Sequence, residues 1–102
     1  MTGKTSLANI LSSSGRIKIL TLLSKVEQLH LSEIAKRTDQ SHSSTVRHLQ
    51  ELTSASVVDE HDYGRVRIFK LNLENPLVRS LRQLILEWDD PHPPTARVQA
   101  QA

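Results

Sequence analysis

Apolar positions return at helical spacing in five stretches of this chain and alternate with polar ones in three others. Leu7, Ile10 and Leu11 mark a short first helix that stops in the Ser12-Ser13-Ser14-Gly15 cluster, where a serine is available to cap the helix that follows. Ile17, Ile19, Leu20 and Leu23 give that second helix a broad buried face, while Arg16, Lys18 and Lys25 keep its other side in water. The alternation in Leu29-His30-Leu31 predicts a very short strand. Ser32 is then placed to cap a third helix over Glu33 to Thr38, with Ile34 and Ala35 inward. Asp39-Gln40-Ser41 is a turn, and Ser41 or Ser43 opens a fourth helix over 41–54. A short helix, a tight turn and a second helix predict a helix-turn-helix.

On the fourth helix Thr45, Leu49 and Leu52 fall within about 60° of one another and form the buried stripe, with Val46 and His42 at its edge. Ser43, Ser44, Arg47, Gln50 and Glu51 lie opposite. Small hydroxyls near the N-terminus followed by a guanidinium one turn later suit phosphate contact first and base-edge contact next. Taken alone, such a face is equally what a solvated surface helix carries.

Val57 and Val58 begin a strand-like run through His61, and Arg65 to Leu71 makes a second, rich in β-branched and aromatic residues. Asp62-Tyr63-Gly64 between them signals a hairpin, so a wing over 59–70 is expected. Arg65 and Arg67, two apart, are expected on one strand face near its tip, with Asp59, Glu60 and Asp62 as alternative partners.

Asn75-Pro76 is a helix start, cap followed by proline at the first helical position. Leu77, Leu81, Leu84, Ile85 and Trp88 then form one long apolar stripe over 75–88. A small winged domain already closes its core with three helices and a hairpin. The stripe is therefore read as a dimerisation face, with Leu7, Ile10 and Leu11 of the first helix alongside, and packing on the chain's own core as the alternative. Residues 1–6 read as a flexible start. Residues 89–102, with three prolines and no apolar period, read as a disordered tail.

Composition narrows the functional classes. A chain of 102 residues with 37% hydrophobic content suits one domain spanning 7–88. The net charge of +2 is concentrated in residues 1–58, which hold 7 basic and 4 acidic groups, and this permits nucleic-acid binding without demanding it. The absence of cysteine removes disulfides, thiolate metal sites and a cysteine nucleophile together. His30, His42, His48, His61 and His92 are scattered without helical metal-ligand spacing. The one cluster resembling a site, Glu87, Asp89, Asp90 and His92, reads as a helix terminus, so no metal and no cofactor are expected. Gly3, Gly15 and Gly64 are isolated and form no phosphate loop, and no serine sits in a nucleophile elbow, so no enzymatic site is expected. No apolar run approaches a membrane span and no signal-peptide core is present, which suggests a cytoplasmic, nucleoid-associated protein.

The succession Arg16-Ile17-Lys18-Ile19-Leu20, Leu31-Ser32-Glu33-Ile34-Ala35, Ser43-Ser44-Thr45-Val46-Arg47-His48-Leu49-Gln50-Glu51-Leu52 and Gly64-Arg65-Val66-Arg67-Ile68-Phe69-Lys70-Leu71 resembles the ArsR-like winged helix-turn-helix regulators of prokaryotes. The resemblance covers residues 7 to 88 and is most specific at Arg47-His48-Leu49 followed by Leu52. It implies a mainly α fold with a β-hairpin in the order α-α-(β)-α-α-β-β-α. It also implies a homodimeric repressor that binds double-stranded DNA with the 41–54 helix in the major groove, the wing on backbone or minor groove, and the terminal helices paired.

The expected DNA contacts are Ser41, His42, Ser43, Ser44, Arg47, His48 and Gln50 with Arg65 and Arg67 of the wing; His48, at the border of the stripe, is equally placed to bond internally. Two departures matter. Ser56 stands where the family usually has glycine after the recognition helix, and must take that turn under strain or by another route. The cysteine motif of metal-sensing members is missing, so thiolate sensing does not carry over, and any small-molecule effector stays unspecified. An architectural duplex binder and a winged helix used for protein contact remain the alternatives.

Overall fold

The computed structural model describes residues 6–89. The expected tail from residue 90, including Asp90 and His92, lies outside the described residues, as do the first five positions of the expected flexible start. Ser6 does not belong to that start: its Oγ accepts from Asn9 N at 3.1 Å and caps the first helix.

The order of elements is α1 (Leu7–Leu11), α2 (Ser14–Lys25), β1 (Leu29–His30), α3 (Leu31–Arg37), α4 (His42–Ser54), β2 (Val58–Tyr63), β3 (Val66–Leu71) and α5 (Pro76–Trp88). This is the expected winged arrangement. Ser13 caps α2 by accepting from Arg16 N, and Asn75 caps α5 by accepting from Leu77 N with Pro76 in the first turn. The expectation for α3 needs correction. Its N-cap is His30, which makes no side-chain capping bond, and Ser32 lies exposed inside the first turn. The helix begins two residues early, at Leu31, which is 8% exposed and belongs to the core.

Both helices of the helix-turn-helix end in the same way. After α3, Asp39 sits at φ 56 while Gln40 N donates to Ala35 O and Asp39 N to Lys36 O. After α4, Ser56 sits at φ 62 while Val57 N donates to Leu52 O and Ser56 N to Thr53 O. These are Schellman closures, each with a left-handed residue that is not glycine. Ser56 has therefore taken the strained option. Its carbonyl in turn accepts from Asn72 Nδ2 at 3.0 Å, tying the end of α4 to the start of the β3–α5 loop. Ser56→Gly is expected to raise stability by about 1 kcal/mol, read from chemical denaturation, because it removes the side-chain penalty in the left-handed region. A destabilised glycine variant would contradict this.

The sheet has the order β1-β3-β2, antiparallel throughout. β3 is its centre, with Leu29 and Glu60 flanking Phe69 on one face and His30 and His61 flanking Ile68 on the other. Phe69, Leu71 and Val58 point inward onto Ile19, Leu20, Leu23, Ile34, Leu49 and Leu52, which together form the core. The hairpin pairs Tyr63 with Val66, leaving Gly64 and Arg65 as a two-residue loop. Gly64 at φ 66 in the first loop position is what a type II′ turn requires. Arg65 thus belongs to the turn and does not share a strand face with Arg67, contrary to the sequence expectation.

The terminal helices are also more divided than their sequence suggests. Ile10 is 5% exposed and belongs to the protomer's own core, so it is withdrawn from the dimerisation set, whereas Leu7 and Leu11 on α1 are exposed. On α5, Val78 is buried and Leu81 and Ile85 pack against the core, while Leu77, Leu84 and Trp88 are exposed at 77%, 54% and 83%. The two sets form adjacent stripes whose centres are about 75° apart at helical spacing. The inner stripe closes the protomer and only the outer one is free.

Candidate nucleic-acid interface

The inner side of α4 is anchored by Thr45, Leu49 and Leu52, all at most 1% exposed, and Thr45 Oγ1 donates to Ser41 O at 2.8 Å. Thr45 therefore has no part in the outer face. Ser41 Oγ accepts from Ser44 N at 3.1 Å, which caps the helix and leaves the hydroxyl hydrogen to donate elsewhere. His42, Ser43, Arg47 and Gln50 are exposed, and Ser44 is half-buried. Arg47 and Gln50 engage in no ion pair or side-chain hydrogen bond among the described residues, so their donors face outward. Arg16, Arg37 and Arg67, by contrast, are each held by a carboxylate.

His48 is the first correction to the expected contact set. It is half-buried and turned toward α2, with Nδ1 3.3 Å from Arg16 Nη1. Gly15 makes this approach possible: a Cβ there would stand 2.6 Å from His48 Nε2 and closer still to Gln40 Oε1. Burial, then the positive charges of Arg16 and Arg47, hold the imidazole below its ordinary value of 6.5, with Glu51 opposing them.

The sign of the pH dependence follows. The unfolded chain takes up the proton first, so the stability due to His48 is fully present above about pH 6.5 and is lost as the pH falls through the folded-state value. In urea titrations the stability difference between the wild type and His48→Asn is expected to shrink on going from about pH 7.5 to pH 5.5. A difference independent of pH would mean that folding does not lower the value of the imidazole.

Arg67 is the second correction. Its Nε donates to Glu60 Oε2 at 2.7 Å, and its guanidinium lies 5.6 Å from the Phe69 ring centroid. The hydrogen bond holds the Glu60 carboxyl below and the Arg67 guanidinium above their ordinary values. This places Arg67 among the residues that stiffen the wing. Arg65, exposed at the tip, has no such partner among the described residues.

Asp89, part of the sequence cluster considered for metal, pairs with Lys25 Nζ at 3.0 Å, and among the described residues no three metal-ligating side chains come together. No helix among them is long and apolar enough to cross a membrane.

Three residues outside the expected contact set matter to this arrangement. Val78 was detectable, since it stands three and seven residues before Leu81 and Ile85. Glu60 was weighed only as one of three partners for the wing arginines. Arg16 looked like a solubilising residue and is instead 8% exposed, bonded to both α1 and α4. Periodicity carries no signal for that, because the partners lie 7 and 35 residues away.

Several known proteins share this arrangement. HlyU from Vibrio cholerae superposes with a TM-score of 0.72 at 20% identity, covering 81% of this chain and 87% of that one. The homodimeric winged helix-turn-helix DNA-binding domain of Mb0332 from Mycobacterium bovis, a possible ArsR-family transcriptional regulator, matches with a TM-score of 0.67 at 24% identity over 83% and 76%. The transcriptional repressor PagR of Bacillus anthracis matches with a TM-score of 0.65 at 23% identity over 78% and 87%. No curated protein sequence matches the chain. The model of the arsR family of bacterial regulatory proteins matches residues 13–60, the segment from the cap of α2 through α3 and α4 into the wing. With the element order, the outward-facing α4 and the paired wing all in place around that segment, the described residues have the winged helix-turn-helix fold, and residues 13–60 are similar to the arsR family of bacterial regulatory proteins.

Proposed function

We propose that the protein acts as a homodimeric repressor that reads double-stranded DNA, with α4 in the major groove, the wing tip on the backbone and the outer stripe of α5 forming the dimer contact. The observation that carries this reading is the division of α4. Its inner side is fixed by buried residues and its flank by Arg16, while Arg47 and Gln50 stand outward with donors uncommitted among the described residues and Ser43 is exposed beside them. Arginine can make a bidentate contact to guanine and glutamine to adenine, which is base-specific chemistry and not only attraction to phosphate. Leu77, Leu84 and Trp88, with Leu7 and Leu11 of α1, supply an apolar surface that a second copy would cover. The homodimeric state of Mb0332 and the repressor description of PagR favour the same reading here. Such a protein works in the cytoplasm on the nucleoid.

Selection of bound duplexes from a random pool at physiological salt tests this. The expected product is an imperfect palindrome with half-sites about one turn, 34–36 Å, apart. Enrichment of shape without sequence would favour an architectural binder, and no enrichment a protein partner. On the selected site Arg47→Ala is expected to cost about 1–3 kcal/mol and to relax the preference at its base pair. Arg65→Ala is expected to weaken all duplexes alike and to make the salt dependence shallower by about one unit. Equal loss on every duplex would reassign Arg47 to phosphate, and an unchanged salt slope would remove Arg65 from the DNA surface.

A further inference from the structure

We propose that Arg16 is a positioning residue for DNA reading: its guanidinium clamps the recognition helix α4 to α1, so that the roll of the reading face follows the terminal helix. This rests on the reading of α4 given above. Arg16 Nη1 donates to Glu51 Oε1 at 2.6 Å and lies 3.3 Å from His48 Nδ1. Nη2 donates to Asn9 O at 2.8 Å and to Asn9 Oδ1 at 3.2 Å. One planar fork thus joins three helices. On α4 it grips the residue after Arg47 and the residue after Gln50, the two side chains offered to base edges.

The other contacts of α4 fix its depth more than its roll. Thr45, Leu49 and Leu52 hold it by burial, which is strong but not directional. Hydrogen bonds to a base edge demand a donor within a few tenths of an ångström of its place. A planar guanidinium supplies direction at the flank that burial leaves free. Stability is a poor alternative explanation for this group. Burying a charge in place of an apolar side chain is often neutral or unfavourable, and Arg16 Nε is buried here without a partner. Gly15 completes the arrangement, since any side chain there would displace His48 and Gln40 and open the gap that Arg16 spans. Arg16 is itself 8% exposed and behind α4, so it contributes no contact to phosphate.

The test compares Arg16→Lys and Glu51→Gln with the wild type, measuring affinity for the selected duplex and for a scrambled one across a salt series, with oligomeric state and thermal stability of each. Lysine keeps the charge but cannot reach Glu51 and Asn9 together; Glu51→Gln alters a partly exposed side chain and keeps the fold should Arg16→Lys fail to. Each variant is expected to lose about tenfold in affinity for the selected duplex, the scale of one hydrogen bond to a charged group. Affinity for the scrambled duplex, the salt slope and the dimer should stay unchanged, and the double variant should be no worse than Arg16→Lys. Folded variants that discriminate like the wild type would overturn the proposal, and so would a salt slope shallower by about one unit, which marks a direct phosphate contact. A wild-type protein that discriminates no duplex at all would overturn the DNA reading itself, and is distinguished by appearing before any substitution is made.

Discussion

Leu84→Asp is expected to give a folded monomer that binds the palindromic site about 10²–10⁴-fold more weakly than the wild type, the loss that accompanies turning one bivalent encounter into two separate ones. Leu84 is 54% exposed and stands between Leu77 and Trp88 on the outer stripe of α5, so the carboxylate would meet water in a monomer and apolar surface only in the proposed dimer. Leu81 is the wrong position for this purpose, although it belongs to the same sequence stripe. It packs against the protomer's own core, and aspartate there would unfold the domain for reasons unrelated to assembly. Sedimentation reports the oligomer directly. Trp88, the sole tryptophan and 83% exposed in the protomer, adds an internal probe, with emission moving to longer wavelength as the partner is lost. A dimer that survives Leu84→Asp with Trp88 unchanged would remove α5 from the interface.

Phe69→Ala is expected to cost about 3–5 kcal/mol of folding stability. A domain of this size has roughly 5–15 kcal/mol in all, so the variant should melt more than about 10 °C lower. Phe69 is the only phenylalanine, 1% exposed, on the central strand of the sheet. Its inward face meets the helices, and its neighbours across the sheet are Leu29 and Glu60. Packed surroundings relax only in part around the cavity that alanine leaves. The Arg67 guanidinium would also lose the ring beside it, so the wing should loosen along with the core. Thermal melts at equal protein concentration, needed because dimerisation raises the apparent stability, read the first effect. Amide exchange across β2 and β3 reads the second. A loss below about 1 kcal/mol would mean that the sheet tolerates a void where the packing leaves no room for one.

Much of this molecule was readable because its elements announce themselves locally. Thr45, Leu49 and Leu52 repeat at helical spacing and are the buried residues of α4; Ser41 and Asn75 are placed as caps and accept the bonds caps accept. Gly64 between two strand-like runs foretold the hairpin. Reading was poorer wherever a residue could serve two purposes. Arg65 and Arg67 have the same spacing whether the turn ends at Gly64 or one residue later. Only the pairing of Tyr63 with Val66 assigns Arg65 to the loop and leaves Arg67 to Glu60 and Phe69. Leu81 and Leu84 look alike in a helical projection, and the side on which the core lies separates them. His48 was balanced between inside and outside, and Gly15 decided it by admitting the ring.

By itself the sequence determined the succession of helices and strands, the caps of α2, α4 and α5, and the exposure of Ser43, Arg47 and Gln50 on α4, because these depend on periodicity and on neighbours a few residues away. Tertiary structure alone decided that β1 joins β3 to make a three-stranded sheet, that Ile10 faces inward, that α5 is apolar on two adjacent stripes with separate uses, and that Arg16 spans from α1 to α4. Each of those is a meeting between distant parts of the chain, fixed by how the whole core closes and by which charges are left to find one another once it has closed.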